Sequence, residues 1–366
     1  VVTPWEVKGE VDYDKLIKEF GTSRINDELV EKISKKAGFM HLFLRRKLFF
    51  SHRDLDLILK DFDSGIPFFL YTGRGPSGRT HIGHLVPWIF TKYLQDTFNA
   101  KLYFQMTDDE KFLFRDELSL EKTENNSREN ALDVIACGFD EKKTKIIYDV
   151  ENIDFLYRIA LKVAKKVTYS TSKAVFGFDN STNIGLIFFP AVQAAPAFIE
   201  NERGNDCNCL IPCAIDQDPY WRITRDVAPG LGYRKPGAIH SKFLPGLEGP
   251  KGKMSASEES SAIYTTDDEK TVKRKIGSAF TGGQATVEEQ KKKGGDSDVC
   301  VVFQWLFYLF EEDDKKLEER KRKCKSGELM CGECKKDLNE RVWKFLKAHQ
   351  EKREKAREKL KDFEMK

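Results

Sequence analysis

Tyr71-Thr72-Gly73-Arg74-Gly75-Pro76-Ser77-Gly78-Arg79-Thr80-His81-Ile82-Gly83-His84 joins two apolar segments of different period. The run before it, Ile66-Pro67-Phe68-Phe69-Leu70-Tyr71, is short, aromatic and bounded by Gly65 and Gly73, which predicts a buried strand. After it, Leu85, Trp88, Ile89, Tyr93 and Leu94 recur at helical spacing. Glycines and two histidines therefore occupy a strand-to-helix junction. In open α/β sheets ligands bind at such junctions. The first N–H groups of the helix have no internal partner and favour a phosphate.

The same alternation extends outward. Strands are predicted at 68–71, 101–106, 144–148, 185–189 and 208–215. Helices are predicted between them at 85–97, 120–137, 155–166, 191–198 and 219–227. This pattern implies an α/β fold, a Rossmann-like parallel sheet covered on both faces, over residues 63–266. Residues 1–62 read as an N-terminal appendage. It comprises an edge arm around Trp5, a helix at 12–20, a second at 28–37 capped by Asn26 or Asp27 and ended by Gly38, and a third at 54–60 capped by Ser51. Residues 267–366 read as an all-helical domain, with helices at 268–279, 299–309, 315–323 and from 327 onward.

The 366 residues suffice for two domains. No run of 18 apolar residues is present, which excludes a transmembrane helix, and the N-terminus lacks the pattern of a signal peptide. Eight cysteines in so long a chain do not make a disulfide scaffold; reduced thiols and a cytoplasmic location are expected. Net charge is only +3, but residues 335–366 hold 12 Lys and Arg against 7 Asp and Glu. A basic helical face is either solvated surface or a docking face for phosphates.

His81 and His84, three apart at a helix start, share one side of it. They read as hydrogen-bond donors to the phosphates of a nucleotide; a metal pair and a core histidine are the alternatives. Gly83, without a Cβ, lets a ribose or adenine approach the backbone. Lys251-Gly252-Lys253-Met254-Ser255-Ala256-Ser257 is basic, hydroxyl-rich and glycine-bearing. A lysine there can close on a polyphosphate. Cys300, Cys324, Cys331 and Cys334 have the spacing C-x23-C-x6-C-x2-C, which suits a four-thiolate site or is four unrelated thiols. Cys207, Cys209 and Cys213 alternate onto one face of a strand and read as buried structural thiols.

His81-Ile82-Gly83-His84 and Lys253-Met254-Ser255-Ala256-Ser257 resemble the two signature motifs of class I aminoacyl-tRNA synthetases. Gln105-Met106-Thr107-Asp108-Asp109-Glu110-Lys111, Phe189-Pro190-Ala191-Val192-Gln193 and Cys213-Ala214-Ile215-Asp216-Gln217-Asp218-Pro219-Tyr220, together with the opening stretch, resemble the eukaryotic type of tryptophanyl-tRNA synthetase over nearly the whole chain. The resemblance implies activation of L-tryptophan with ATP and Mg²⁺, transfer to tRNA(Trp), and a homodimer. It implies that Tyr71 and Gln105 meet the indole N–H, and that Glu110, Gln193 and Gln217 hold the amino and carboxylate groups. His81, His84, Lys111 and Lys253 would serve catalysis. Gly73, Arg74, Gly83, Met254, Ser255 and Ser257 would meet ATP. Lys344, Lys347, Lys352, Arg353 and Arg357 would approach the anticodon. An iron–sulfur cluster, as in some bacterial members, or Zn²⁺ would fit the four cysteines.

Two departures are visible. Ala256 stands where other class I members carry a second lysine, and the chain begins close to the Trp5 arm, with no extra helical appendage expected. A tyrosyl-tRNA synthetase and a non-catalytic nucleic-acid-binding relative are the alternatives.

Overall fold

The computed structural model describes residues 11–250, 254 and 259–366. The Trp5 arm, Lys253, Ser255 and Ser257 lie outside the described residues. Seven strands form one sheet: β1 Ser23–Arg24, β2 Phe49–Arg53, β3 Phe68–Arg74, β4 Leu102–Met106, β5 Thr144–Tyr148, β6 Asn208–Ala214 and β7 Gly237–Ser241. Their order is β1-β2-β7-β6-β3-β4-β5. From β7 to β5 all neighbours are parallel. β2 adds to β7 antiparallel, and β1 to β2 likewise. The chain builds from β3 outward to β5, then returns to lay β6 and β7 on the other side of β3. The strand order thus reverses beside β3, and a crevice opens there at the carboxyl ends of the strands.

Helices α1 Tyr13–Phe20, α2 Asp27–Ala37, α3 Leu42–Arg45 and α4 Leu55–Asp63 precede β3. Between β3 and β7 lie α5 Ile82–Phe98, α6 Asp108–Phe114, α7 Leu120–Ala136, α8 Ile153–Ala164, α9 Tyr169–Phe176, α10 Ile184–Ala194, α11 Ile199–Glu202 and α12 Asp218–Val227. After β7 come α13 Glu269–Ser278, α14 Val287–Lys293, α15 Val301–Trp305, α16 Asp314–Lys325 and α17 Cys331–Phe363.

The period of two along each strand sorts the core into two layers. Leu70, Phe104, Ile146 and Leu210 face α5 and α7. Phe69, Tyr71, Tyr103, Ile147 and Ile211 face α8, α10 and α12, in a cluster that also takes Cys207, Cys209 and Cys213. A third cluster joins Val272, Ile276, Trp305, Leu338, Val342 and Leu346 of the helical region to Ile82 and Met254. α17 then runs back along α7, and the Met365 N–H bonds the Ile146 carbonyl at 2.9 Å, on the outer edge of β5.

Three expectations are corrected. The predicted strand at 185–189 is the N-terminal half of helix α10, capped by Asn183, whose side chain accepts the Leu186 N–H. A continuous apolar run has no period to separate a buried strand from a buried helix. Ser51 does not cap α4; it lies in β2, and the His52 ring accepts the Leu55 N–H instead. Strands β2 and β7 were not anticipated: residues 23–53, read above within the appendage, supply the antiparallel side of the sheet. The stretch Ile184–Glu202 is long and apolar enough to cross a membrane by length and composition alone, yet it packs into the core against α8 and α12.

Candidate active site

A cleft of about 320 Å³ opens at the carboxyl ends of β3, β4, β6 and β7. It brings together Tyr71, Gly73, Arg74, His81, Gly83, His84, Gln105, Glu110, Lys111, Gln193, Gln217 and Met254. Every described residue singled out above for tryptophan, ATP or catalysis therefore lines one cavity.

At one end the site is built from strand ends. Tyr71 and Gln105 are 1% and 0% exposed. The Tyr71 hydroxyl lies within donating distance of Gln105 Oε1 and, at 2.7 Å, of the Gln193 carbonyl. One phenolic proton faces two acceptors, so one acceptor remains available to a donor on a ligand. Trp221 stands edge-on to Tyr71, with centroids 5.4 Å apart. Tyr220, Trp221 and Cys213 also line this end and were not anticipated. An aromatic pair at the start of a helix directly after Gln217 was the available signal.

The other end is built from the junction. Ile82 N–H bonds the Ile263 carbonyl, and the His81 backbone N–H donates to His84 Nδ1 at 3.1 Å. With Nδ1 accepting, the neutral His84 ring carries its proton on Nε2. The two rings stack with centroids 3.5 Å apart. A Cβ at Gly83 would stand 3.1 Å from the His81 ring and 3.6 Å from Met254 Cβ, so it would crowd the ring while meeting Met254 at ordinary contact distance. At Gly75 a Cβ would fall 2.2 Å from Lys111 Cε. That glycine is what lets Lys111 lie across the loop, where its Nζ bonds Glu110 at 2.8 Å. Arg74 Nε and Nη2 are buried and have no hydrogen-bond partner among the described residues. Burial lowers the guanidinium to about 10, so it stays charged at neutral pH.

The basic residues of α17 divide. Lys344, Lys347 and Lys352 are exposed. Arg353 is 7% exposed and is turned to Glu129 and Asp133 of α7; Arg357 also pairs with Glu129. Arg353 is thus buried against α7, away from any docking face for phosphates, whereas Arg357 pairs with Glu129 and remains about half exposed. The helical period sets them on the face that docks against α7.

Cys300, Cys324, Cys331 and Cys334 line one cavity of about 20 Å³. Burial, then the neighbouring thiols, push the Cys324 thiol up to about 11. Arg320 donates to Cys334 Sγ at 3.4 Å. Among the described residues no group of three or more His, Cys, Asp or Glu side chains is set to hold a metal ion. The four thiols line one cavity but are not arranged as such a group in this structure.

The family model for class I tRNA synthetases (W and Y) matches residues 64–347. The chain is 56% identical to the tryptophan–tRNA ligase of Thermococcus onnurineus, over 99% of this chain and 93% of that one. It resembles the solved tryptophanyl-tRNA synthetase of Giardia lamblia, with TM-score 0.90 and 38% identity over 97% of this chain and 96% of that one. The tryptophan-bound enzyme of Encephalitozoon cuniculi gives TM-score 0.87 and 39% identity over 98% and 99%. The chain belongs to the class I tRNA synthetases of the tryptophan and tyrosine type. Within that family it belongs with the tryptophan–tRNA ligases.

Proposed function

We propose that the cleft joins L-tryptophan to ATP as tryptophanyl-adenylate and then charges tRNA(Trp). The observation that carries this is the convergence of Tyr71 and Gln105 with His81, Gly83 and His84 in one cleft that also holds Arg74, whose Nε and Nη2 have no hydrogen-bond partner among the described residues. Buried N–H donors of a guanidinium that lack an acceptor call for an anionic ligand, here a phosphate or the amino-acid carboxylate. A buried ring N–H needs an acceptor, and the Tyr71–Gln105–Gln193 group supplies one.

The reaction needs no protein nucleophile. A tryptophan carboxylate oxygen attacks the α-phosphorus in line, the bond to the bridging oxygen breaks, and pyrophosphate leaves. Glu110, Gln193 and Gln217 hold the amino and carboxylate groups for this attack. His84 Nε2–H, His81 and Lys111 act as donors to phosphate oxygens, joined by Lys253, which lies outside the described residues. Gly73, Arg74 and Gly83 shape the ATP subsite with Met254, Ser255 and Ser257. Mg²⁺ arrives on ATP and neutralises its phosphates. The donors that line this end of the cleft are cationic or N–H groups, suited to phosphate rather than to a resident cation. The tRNA 3′-terminal hydroxyl then attacks the carbonyl carbon and AMP leaves.

Functionally, residues 63–266 catalyse and residues 267–366 approach the anticodon, through Lys344, Lys347 and Lys352. The enzyme works as a cytoplasmic homodimer. Ile153, Tyr157 and Leu161 form an exposed apolar stripe at four-residue spacing along α8. Such a stripe fits a second copy of this chain. Tryptophan-dependent ATP–pyrophosphate exchange tests the reading. Exchange with tryptophan and none with tyrosine is expected; absence of exchange with tryptophan overturns it.

A further inference from the structure

Behind the aromatic end of the cleft lies a carboxyl group with no part in the adenylation chemistry. Asp149 directly follows β5 and is 0% exposed. Its backbone N–H bonds the Met106 carbonyl at 3.1 Å, so the pairing of β5 with β4 fixes its position. Gln105 Nε2 donates to both Asp149 oxygens, at 2.8 and 2.9 Å. A carboxamide has a donor end and an acceptor end of nearly the same shape. With its N–H₂ held by Asp149, Gln105 turns its Oε1 to Tyr71.

The surroundings of Asp149 do not favour a purely structural role. Its neighbours on α6 are Asp108 and Asp109, and Asp108 Oδ1 accepts the Val150 N–H at 3.1 Å. Burial, then the charges of Asp109 and Asp108, push the Asp149 carboxyl well above the usual range, and it bonds the Asp109 side chain. No cation pairs with Asp149 among the described residues. A buried carboxyl among like charges costs stability. The chain keeps one where it can orient Gln105.

We propose that Asp149 is a specificity-positioning residue: it holds the Gln105 carboxamide with its oxygen toward the substrate, so that the pocket accepts a ring N–H and rejects a ring without one. Without Asp149 the amide is free to turn. Its N–H₂ then meets the indole N–H donor to donor. The inference rests on the assignment of Tyr71 and Gln105 to the indole nitrogen.

The test uses the full chain in ATP–pyrophosphate exchange, with L-tryptophan and with its benzothiophene analogue, in which sulfur replaces the ring N–H. The readout is the ratio of kcat/KM for the two. Asp149→Leu, close in shape but without an acceptor, and Asp149→Ala are expected to lower the ratio about tenfold or more through the tryptophan KM, with the ATP KM within about twofold. Asp149→Asn keeps an acceptor for Gln105 and a donor for Asp109, and is expected to hold the ratio within about threefold. The thermal midpoint of Asp149→Leu is expected to stay close to that of the parent, because the lost Gln105 hydrogen bonds are offset by removal of a carboxyl beside two others. Should Asp149→Ala fail to fold, the Leu and Asn variants decide alone. An unchanged ratio in Asp149→Leu, a ratio lost equally in Asp149→Asn, or a selectivity loss that merely follows a fallen thermal midpoint overturns the proposal. Gln105→Ala separates the two layers: if it keeps the ratio, the assignment of Gln105 to the ring N–H fails, whatever Asp149 does.

Discussion

Arg53 and Asp218 meet as a bidentate pair, Nε to Oδ1 at 2.6 Å and Nη2 to Oδ2 at 2.8 Å. Asp218 opens α12 immediately after Gln217, and Arg53 closes β2. His240 Nε2 stands 3.4 Å from the same carboxylate, and His240 Nδ1 stands 3.0 Å from Ser51 Oγ. The antiparallel side of the sheet thus anchors the helix start that presents Gln217 to the cleft.

Acid stability follows from this pair. Burial works against the Asp218 charge, but the hydrogen bonds from Arg53 and the nearby His240 ring outweigh it and draw the carboxyl from 3.8 down to about 2. A carboxyl lowered on folding stabilises fully above its unfolded value and loses that contribution as pH falls through the folded value. The contribution is about 2 kcal/mol at neutral pH, most of it lost between about pH 4 and pH 2. Asp218→Asn leaves Arg53 without its counter-charge and is expected to cost about 3 kcal/mol at pH 7. It should also flatten the acid limb. Denaturant midpoints measured from neutral to acid pH check both, and an unaltered acid limb in Asp218→Asn contradicts the assignment.

His84 has its tautomer set by the His81 backbone N–H on Nδ1. The ring proton then sits on Nε2, which is the atom that can donate toward a phosphate. His84→Gln retains an amide N–H near the Nε2 position, whereas His84→Asn and His84→Ala do not. The expected loss in kcat for exchange is about 10²-fold for Ala and Asn and smaller for Gln, with the tryptophan KM nearly constant. Steady-state exchange at saturating ATP provides the measurement; equal losses in all three variants would exclude an Nε2 donor.

Tyr71 contributes through a single hydroxyl that spans Gln105 Oε1 and the Gln193 carbonyl. Tyr71→Phe leaves the ring packing on Trp221 intact and removes the bridge. The tryptophan KM is expected to rise about tenfold, or about 1.4 kcal/mol, with little change in the ATP KM. Thermal stability is expected to fall by about 1 kcal/mol, because an acceptor loses its donor. Isothermal titration with tryptophan alone separates the binding loss from any loss in chemistry.

Part of this site could be read in the chain because the stretch from Tyr71 to His84 joins a strand to a helix and is rich in glycine. Tyr71 lies in β3, Gln105 near the carboxyl end of β4 and Gln217 just after β6; the junction after β3 marked the cleft, and the family resemblance supplied the roles of these three residues. Asp149 likewise follows a strand, β5, but sits in a short polar turn with no motif to single it out. Strand β7, Gly237-Ala238-Ile239-His240-Ser241, is short and carries a buried histidine that breaks its apolar run. Its partner β2 also holds Ser51 and His52, which look like cap and loop residues until the sheet buries them. The burial of Arg353 was hidden for a different reason: a basic helix shows its charge in sequence, but only the docking of α17 on α7 shows which charges already have partners.

That docking leads to the last expectation. Arg353 Nη2 bonds Glu129 Oε2 at 2.6 Å, and His349 Nε2 lies 3.0 Å from Asp133 Oδ1. Both partners belong to α7. Arg353→Ala removes one member of a buried cluster and is expected to destabilise by about 3 kcal/mol. Lys344, Lys347 and Lys352 face solvent and carry no such burden. Changing each to Ala should leave the thermal midpoint within about 0.5 kcal/mol of the parent. Tryptophan-dependent exchange, which needs no tRNA, should stay at the parental rate. Aminoacylation should weaken through the tRNA KM, and each lysine removed from a phosphate should lower the salt slope of tRNA binding by about 0.7–0.9. Nitrocellulose filter binding at several salt concentrations checks the slope. If Lys344→Ala, Lys347→Ala and Lys352→Ala all keep the parental tRNA KM and slope, the exposed face of α17 does not carry tRNA.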